Sequence, residues 1–244
     1  MPNYTFRDFE QERSYHLGLP SRKLPGWKRW LAPWAHIKDS FTSSSTRYFV
    51  RPAPPAVYVR IPKAASTAVL STWLPQMAVG LPSLPSDEEL EAYAHRMAVS
   101  ALPASVQAYP RFTLVRHPVR RFLSVYQSYF QKPDTPFPFS HYLWGVLRPG
   151  MSLDELISAV EQIPDRFRDP HLMSQVRLMG GPKHLPLVKR YRLEELTPST
   201  VLPEIGLPLP LRNASGAMLS ISQEQEQRIR ALYQVDLEQL GYTD

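Results

Sequence analysis

An α/β fold with a central parallel sheet flanked by helices is what the sequence predicts, and three observations carry it. Twice, an apolar run of strand length leads straight into a helical pattern, from Ala56 to Trp73 and from Phe112 to Tyr129. Each junction holds a cluster of small, hydroxyl-bearing or basic residues. Three capping boxes announce further helices suited to cover such a sheet.

Taken in order, Arg51-Pro-Ala-Pro-Pro-Ala56 reads as a stiff approach to the first strand. Ala56 to Ile61 reads as a buried strand that Pro62 breaks. Lys63-Ala64-Ala65-Ser66-Thr67 then opens a helix continuing through Val69, Leu70 and Trp73. The second strand, Phe112 to Val115, ends at Arg116. Pro118 suits the first turn of the helix that follows through Phe122, Val125, Tyr126 and Tyr129. The capping boxes pair Ser86 with Glu89, Ser152 with Glu155, and Ser222 with Gln225. Behind the second lie Leu156, Ile157, Val160 and Ile163 at helical spacing, and behind the third Ile229, Leu232 and Tyr233.

Both junctions carry the chemistry of phosphate binding. A helix start offers unpaired N–H groups and a positive dipole end. At the first junction Lys63 adds a full positive charge, Ser66 and Thr67 supply capping or donating hydroxyls, and Ala64 and Ala65 let the backbone come close. At the second, Arg116 and Ser124 would converge on another anion. In open α/β sheets ligands sit beyond the carboxyl ends of the strands, where both clusters fall. One ligand with two separate phosphate groups would satisfy both.

These segments resemble those of a known family, the carbohydrate sulfotransferases that use 3′-phosphoadenosine-5′-phosphosulfate (PAPS), in the branch with the heparan sulfate 2-O and chondroitin enzymes. IPKAAST (61–67) is similar to the family's phosphosulfate loop, and RHPVRRFLSVY (116–126) to its 3′-phosphate motif. His171-Leu-Met-Ser-Gln175, Val188 to Leu196, and IRALYQVDLEQLGY (229–242) resemble later landmarks. The resemblance implies a P-loop-like sulfotransferase fold and a hydroxyl acceptor, in the first place on a carbohydrate or glycoconjugate. It also implies a donor site built from Arg60, Lys63, Ala64, Ala65, Ser66, Thr67, Arg116 and Ser124. Lipid, peptide or small-metabolite hydroxyls are the alternative acceptors.

Sulfuryl transfer needs in-line attack, stabilisation of charge on the leaving phosphate, and removal of the hydroxyl proton. Lys63 suits the second task. For the third, histidine is the natural base near neutral pH, and the candidates are His95, His117, His141, His171 and His184. His95 ranks first. It precedes Arg116 by 21 residues, a spacing that resembles that of the catalytic histidine in the heparan sulfate 2-O and 6-O enzymes. His171 ranks second, within its landmark. His117 is expected to point away, and Arg120 and Arg121 to be surface or substrate contacts. Residues 132 to 147, with Phe137, Phe139, His141, Tyr142 and Trp144, read as an acceptor loop or as core.

The composition sets limits on this reading. The chain has 244 residues, 43% hydrophobic and 20% charged, enough for one domain over residues 49–244 behind an extension at 1–48 carrying Trp27, Trp30 and Trp34. A formal charge of +6 suits a polyanionic donor. The absence of cysteine excludes disulfides, thiol catalysis and zinc-thiolate sites. No Asp or His cluster stands at ligand spacing, so no metal is expected. No stretch reaches the roughly 18 apolar residues of a membrane span, and Arg7, Asp8, Glu10 and Glu12 do not suit a signal-peptide core. A soluble protein, cytoplasmic and bacterial, is the expectation, in contrast to membrane-anchored Golgi members of the family. The runner-up functions are a P-loop kinase, which would want the GxxxxGK[ST] pattern that is missing here, and a non-enzymatic polyanion-binding module.

Overall fold

The computed structural model describes residues 46–77, 87–131, 147–210 and 219–242. They form a mixed α/β fold with a central, mostly parallel four-stranded sheet flanked by helices. Strand β1 (Tyr48–Arg51) pairs antiparallel with β2 (Ala56–Val59), Tyr48 opposite Val59 and Arg51 opposite Ala56. Strand β3 (Arg111–Val115) lies parallel to β2 on one side and to β4 (Val188–Arg192) on the other, giving the order β1-β2-β3-β4. All four residues of β2 are buried, as expected where a sheet is covered on both faces.

β1 was not expected. The segment read as a stiff approach is a hairpin turn, closed by the side chain of Arg51, whose Nε donates to the Pro54 carbonyl at 2.9 Å. The same guanidinium donates to Gln76 Oε1 and to the Glu204 carbonyl, each at 2.6 Å, and stacks 4.3 Å from the centre of the Trp73 ring. The prolines therefore serve a turn because a buried cation, 3% exposed, organises it.

The core is a chain of rings across the sheet. Phe49 meets Tyr58 at 6.0 Å, Tyr58 meets Phe112 at 5.3 Å, and Phe112 meets Trp73 at 5.1 Å. All four are fully buried. Burial of one such side chain is worth about 1.5–3 kcal/mol, and aromatic pairing adds about 0.5–1.5 kcal/mol. Trp73 belongs to α1 (Ser66–Met77), which is followed by α2 (Asp87–Met97). Ser86 itself lies outside the described residues.

α3 (Pro118–Tyr129) starts at the expected proline. α4 (Leu153–Glu161) and α6 (Gln223–Leu232) start at the expected capping boxes, with both reciprocal hydrogen bonds present in each. Among the described residues there are also two short α-helices, α5 (Gln175–Leu178) and α7 (Gln234–Leu240). Gly241 ends α7 at φ 72°, and a Cβ there would stand 2.6 Å from an Arg192 nitrogen, so a larger residue would displace that side chain and strain the backbone.

The chain divides into two compact units. Among the described residues one comprises 46–122 and 169–242 and holds the whole sheet; the other comprises 123–131 and 147–168. In the second, α4 buries Leu153, Leu156, Ile157 and Val160.

Within the sheet-bearing unit one side chain joins loops that are distant in sequence. Arg121, 2% exposed, donates from Nε to the Pro62 carbonyl at 3.0 Å, and from its two terminal nitrogens to Met173 and Pro170 carbonyls, each at 2.8 Å. The expectation of a surface or substrate contact is thus corrected: the guanidinium is spent on main-chain carbonyls, whereas Arg120 is exposed. Hydrogen bonds to a charged group contribute about 1.5–3 kcal/mol each before the cost of burying the charge. Arg121→Met is expected to destabilise the chain by roughly 3 kcal/mol in urea unfolding, with Arg120→Met staying within about 0.5 kcal/mol of wild type.

Candidate functional site

Where β2 runs out, the backbone makes an unusual turn. Lys63 and Ala65 both have positive φ, 65° and 57°, a region non-glycine residues enter at a cost of roughly 1–2 kcal/mol each. The helix therefore opens at Ser66, three residues later than the sequence suggests, and Lys63 to Ala65 form a tight loop before it. The Ala64 N–H donates back to the Ile61 carbonyl at 3.3 Å, and the first helical bond runs from the Val69 N–H to the Ala65 carbonyl at 3.1 Å. The amides of Ser66, Thr67 and Ala68 precede that bond, so they stand at a helix start whose dipole favours an anion. Left-handed residues alternating along a loop are also how backbone amides form anion-binding concavities.

The second segment meets the first directly. Arg116 follows β3, and its Nη1 donates to the Lys63 carbonyl at 3.3 Å. Thr113 assists this meeting, since its buried hydroxyl donates to the Val59 carbonyl at 2.7 Å, beyond the last paired residues of β2 and β3. Two cations thus share one corner. Burial, and secondarily the charge of Arg116, lower the pKa of Lys63 from 10.5 to about 8. Burial also lowers that of Arg116, which Glu194 opposes by raising it while Arg120 and Arg121 pull it further down.

A polar cluster stands behind Arg116. Glu194 accepts the His117 N–H at 2.7 Å and the Tyr242 hydroxyl at 3.0 Å, and the His117 ring meets the Tyr242 ring edge-on at 5.2 Å. Arg192 donates to the Leu240 and Gly241 carbonyls at 3.0 and 2.6 Å, which fixes Tyr242 in place. Burial, and then Glu194, push the Tyr242 phenol far above its ordinary pKa, so it stays a donor.

His171 is oriented by a carboxylate. Asp169 Oδ1 lies 2.7 Å from His171 Nδ1 and also accepts the His171 backbone N–H at 2.8 Å. A proton on Nδ1 makes that contact a hydrogen bond and leaves Nε2 as the basic atom. Since Arg121 grips Pro170 and Met173 together with Pro62, the His171 loop and the Lys63 loop hang on one side chain.

The fold brings together Lys63 to Thr67 and Arg116, with Arg60 just upstream at the end of β2. Ser124 sits in the second turn of α3, buried. His95 is in the last turns of α2, and its side chain, like all of His141 and residues 132–146, lies outside the described residues. His184 is exposed and packs beside Gly180. Sequence reasoning missed Asp169, Glu194 and the anchoring role of Arg121. An Asp two residues before a candidate histidine was the one signal available.

Among known proteins, residues 46–155 match the model of the Sulfotransferase family. The match takes in β1 to the start of α4, with both phosphate-seeking segments, and supports sulfotransfer as the general activity. No curated protein and no solved structure matches the chain significantly. Among the described residues, no helix is long and apolar enough to cross a membrane, and no group of three or more His, Cys, Asp or Glu could hold a metal ion.

The Lys63 titration has a definite sign. Its folded pKa, about 8, lies below the ordinary 10.5, so between these values the unfolded chain holds a proton the folded chain has lost, and stability rises with pH. Urea midpoints at pH 7.5 and pH 10 should therefore show wild type gaining on Lys63→Met as the pH rises.

Proposed function

We propose that the protein transfers the sulfuryl group of PAPS to a hydroxyl, with a carbohydrate or glycoconjugate as acceptor. The observation that carries this reading is the joining of two phosphate-seeking corners at the Lys63 carbonyl, where Arg116 docks. A mononucleotide monophosphate needs one such corner; a nucleotide phosphorylated on both the 5′ and 3′ positions needs two. The strained loop fits a phosphosulfate, since the Arg116 contact braces it and its helix start offers backbone amides to an anion. The carbohydrate acceptor rests on the likeness of both segments to those of carbohydrate enzymes.

In this reading Ala64, Ala65, Ser66 and Thr67 supply close backbone and hydroxyl donors to the 5′ end, with Arg60 beside them. Arg116 takes the 3′-phosphate. The donor contributes a sulfur held in an anhydride with phosphate. The acceptor oxygen bonds to that sulfur, the bond from sulfur to the bridging oxygen breaks, and its electron pair stays on the phosphate. The Lys63 ammonium stabilises that charge, and its partial burial strengthens the effect. The acceptor proton passes to a histidine. Asp169 favours His171 for this role, because the carboxylate fixes the ring and stabilises the imidazolium that forms; His95 is the other candidate.

Thermal melting tests the donor. Adenosine-3′,5′-bisphosphate at about 100 times its Kd should add roughly 2.7 kcal/mol, with a much smaller shift for 5′-AMP. A preference for Mg-ATP would point to a kinase instead, and no response to any nucleotide to a polyanion-binding module. Lys63→Ala should abolish sulfuryl transfer to glycan acceptors while leaving the fold intact. For the base, His171→Asn is expected to lower kcat by about 10²–10⁴-fold. His95→Asn should stay within a few-fold of wild type, and the opposite pattern would assign the base to His95.

A further inference from the structure

Arg116 occupies a difficult place. β3 pairs with β4 as far as Val115 opposite Arg192, so the peptide groups of Arg116 fall just past the ladder and need partners of another kind. The side chain of Gln175 provides both. Its Oε1 accepts the Arg116 N–H at 2.9 Å, and its Nε2 donates to the Arg116 carbonyl at 2.7 Å. A primary amide carries a donor and an acceptor side by side, so Gln175 does what a neighbouring strand would do.

Gln175 is held firmly in turn. It is fully buried, and its own N–H donates to Asp236 Oδ2 at 2.8 Å while the next N–H, of Val176, donates to Oδ1 at 2.9 Å. Asp236, on α7, is also fully buried. Asp236, Gln175 and the Arg116 peptide are thereby connected in sequence, and the far end of that connection is a guanidinium already docked on Lys63.

We propose that Gln175 is a positioning residue for Arg116 that sets the preference of the donor site for a 3′-phosphorylated nucleotide over one without that phosphate. The proposal rests on the function argued above and deepens it. Arg116 can make a forked contact with a phosphate only if its Cα and side-chain axis are fixed. Gln175 fixes them from behind, without itself meeting the nucleotide. Loss of this grip therefore acts on the 3′ subsite and spares the 5′ subsite around Ser66 and Thr67. A residue that merely stabilised the fold would weaken both ligands alike.

Calorimetric Kd values for adenosine-3′,5′-bisphosphate and for 5′-AMP, on wild type, Gln175→Met and Gln175→Glu, test it. Wild type should prefer the bisphosphate. In Gln175→Met, of similar size but unable to hold either peptide group, bisphosphate affinity should fall about tenfold, with 5′-AMP changing less than about threefold. Gln175→Glu keeps an acceptor for the Arg116 N–H but sets an oxygen against the Arg116 carbonyl, and should likewise lower the preference for the bisphosphate. A bisphosphate-to-AMP ratio unchanged from wild type in a folded variant overturns the proposal, as does parallel loss of both ligands. If neither variant folds, Gln175 is a stability residue and the proposal fails. If wild type itself shows no preference, the functional reading falls first and this inference with it.

Discussion

Everything placed at the candidate site depends on where the Arg121 guanidinium ends up. Three carbonyls from two loops point at one cation. Pro62 cannot anchor the phosphate-seeking loop by its own N–H, because proline has none, so its carbonyl is the available handle. Pro170 and Met173 flank His171 on either side. A single fork therefore sets the spacing between the residue suited to charge stabilisation and the histidine whose ring Asp169 holds. Lysine at this position could not span the three acceptors, since it is a point charge on a flexible stem.

The electrostatics of the corner follow from that placement. Lys63 and Arg116 are drawn together by main-chain geometry rather than by mutual attraction, and the Arg116 charge makes that of Lys63 harder to keep. Glu194 offsets part of this on the Arg116 side while it also orders His117 and Tyr242. A polyanion entering such a corner relieves repulsion as well as gaining contacts, which raises its affinity above what the hydrogen bonds alone provide.

Much of the architecture was legible because it follows from short-range rules. Val57 to Val59 and Phe112 to Val115 form hydrophobic runs broken only by Thr113, Pro118 fixes a helix start, and Ser152 and Ser222 with their partners three residues on cap helices where expected. What stayed hidden depends on long-range partners. Arg51 turns a proline-rich stretch into a hairpin through Gln76 and Glu204, far along the chain. Arg121 looks like any helix-surface cation until the carbonyls around it are known. Lys63 and Ala65 carry no local mark of a left-handed backbone, since glycine would be the usual residue. Asp169 could have been noticed, but its meaning required the ring of His171 beside it.

The two left-handed residues also bear on what the loop is worth outside this fold. A glycine-rich phosphate loop adopts its shape on conformational freedom alone and can be carried by many scaffolds. Here the shape is imposed on Lys63 and Ala65 against their own preference, by Arg121 below and Arg116 alongside. Grafted onto another protein, the heptapeptide Ile61 to Thr67 would relax to ordinary backbone angles and lose its concavity, so the heritable unit is the loop together with its two arginines, 53 residues and more downstream of Lys63.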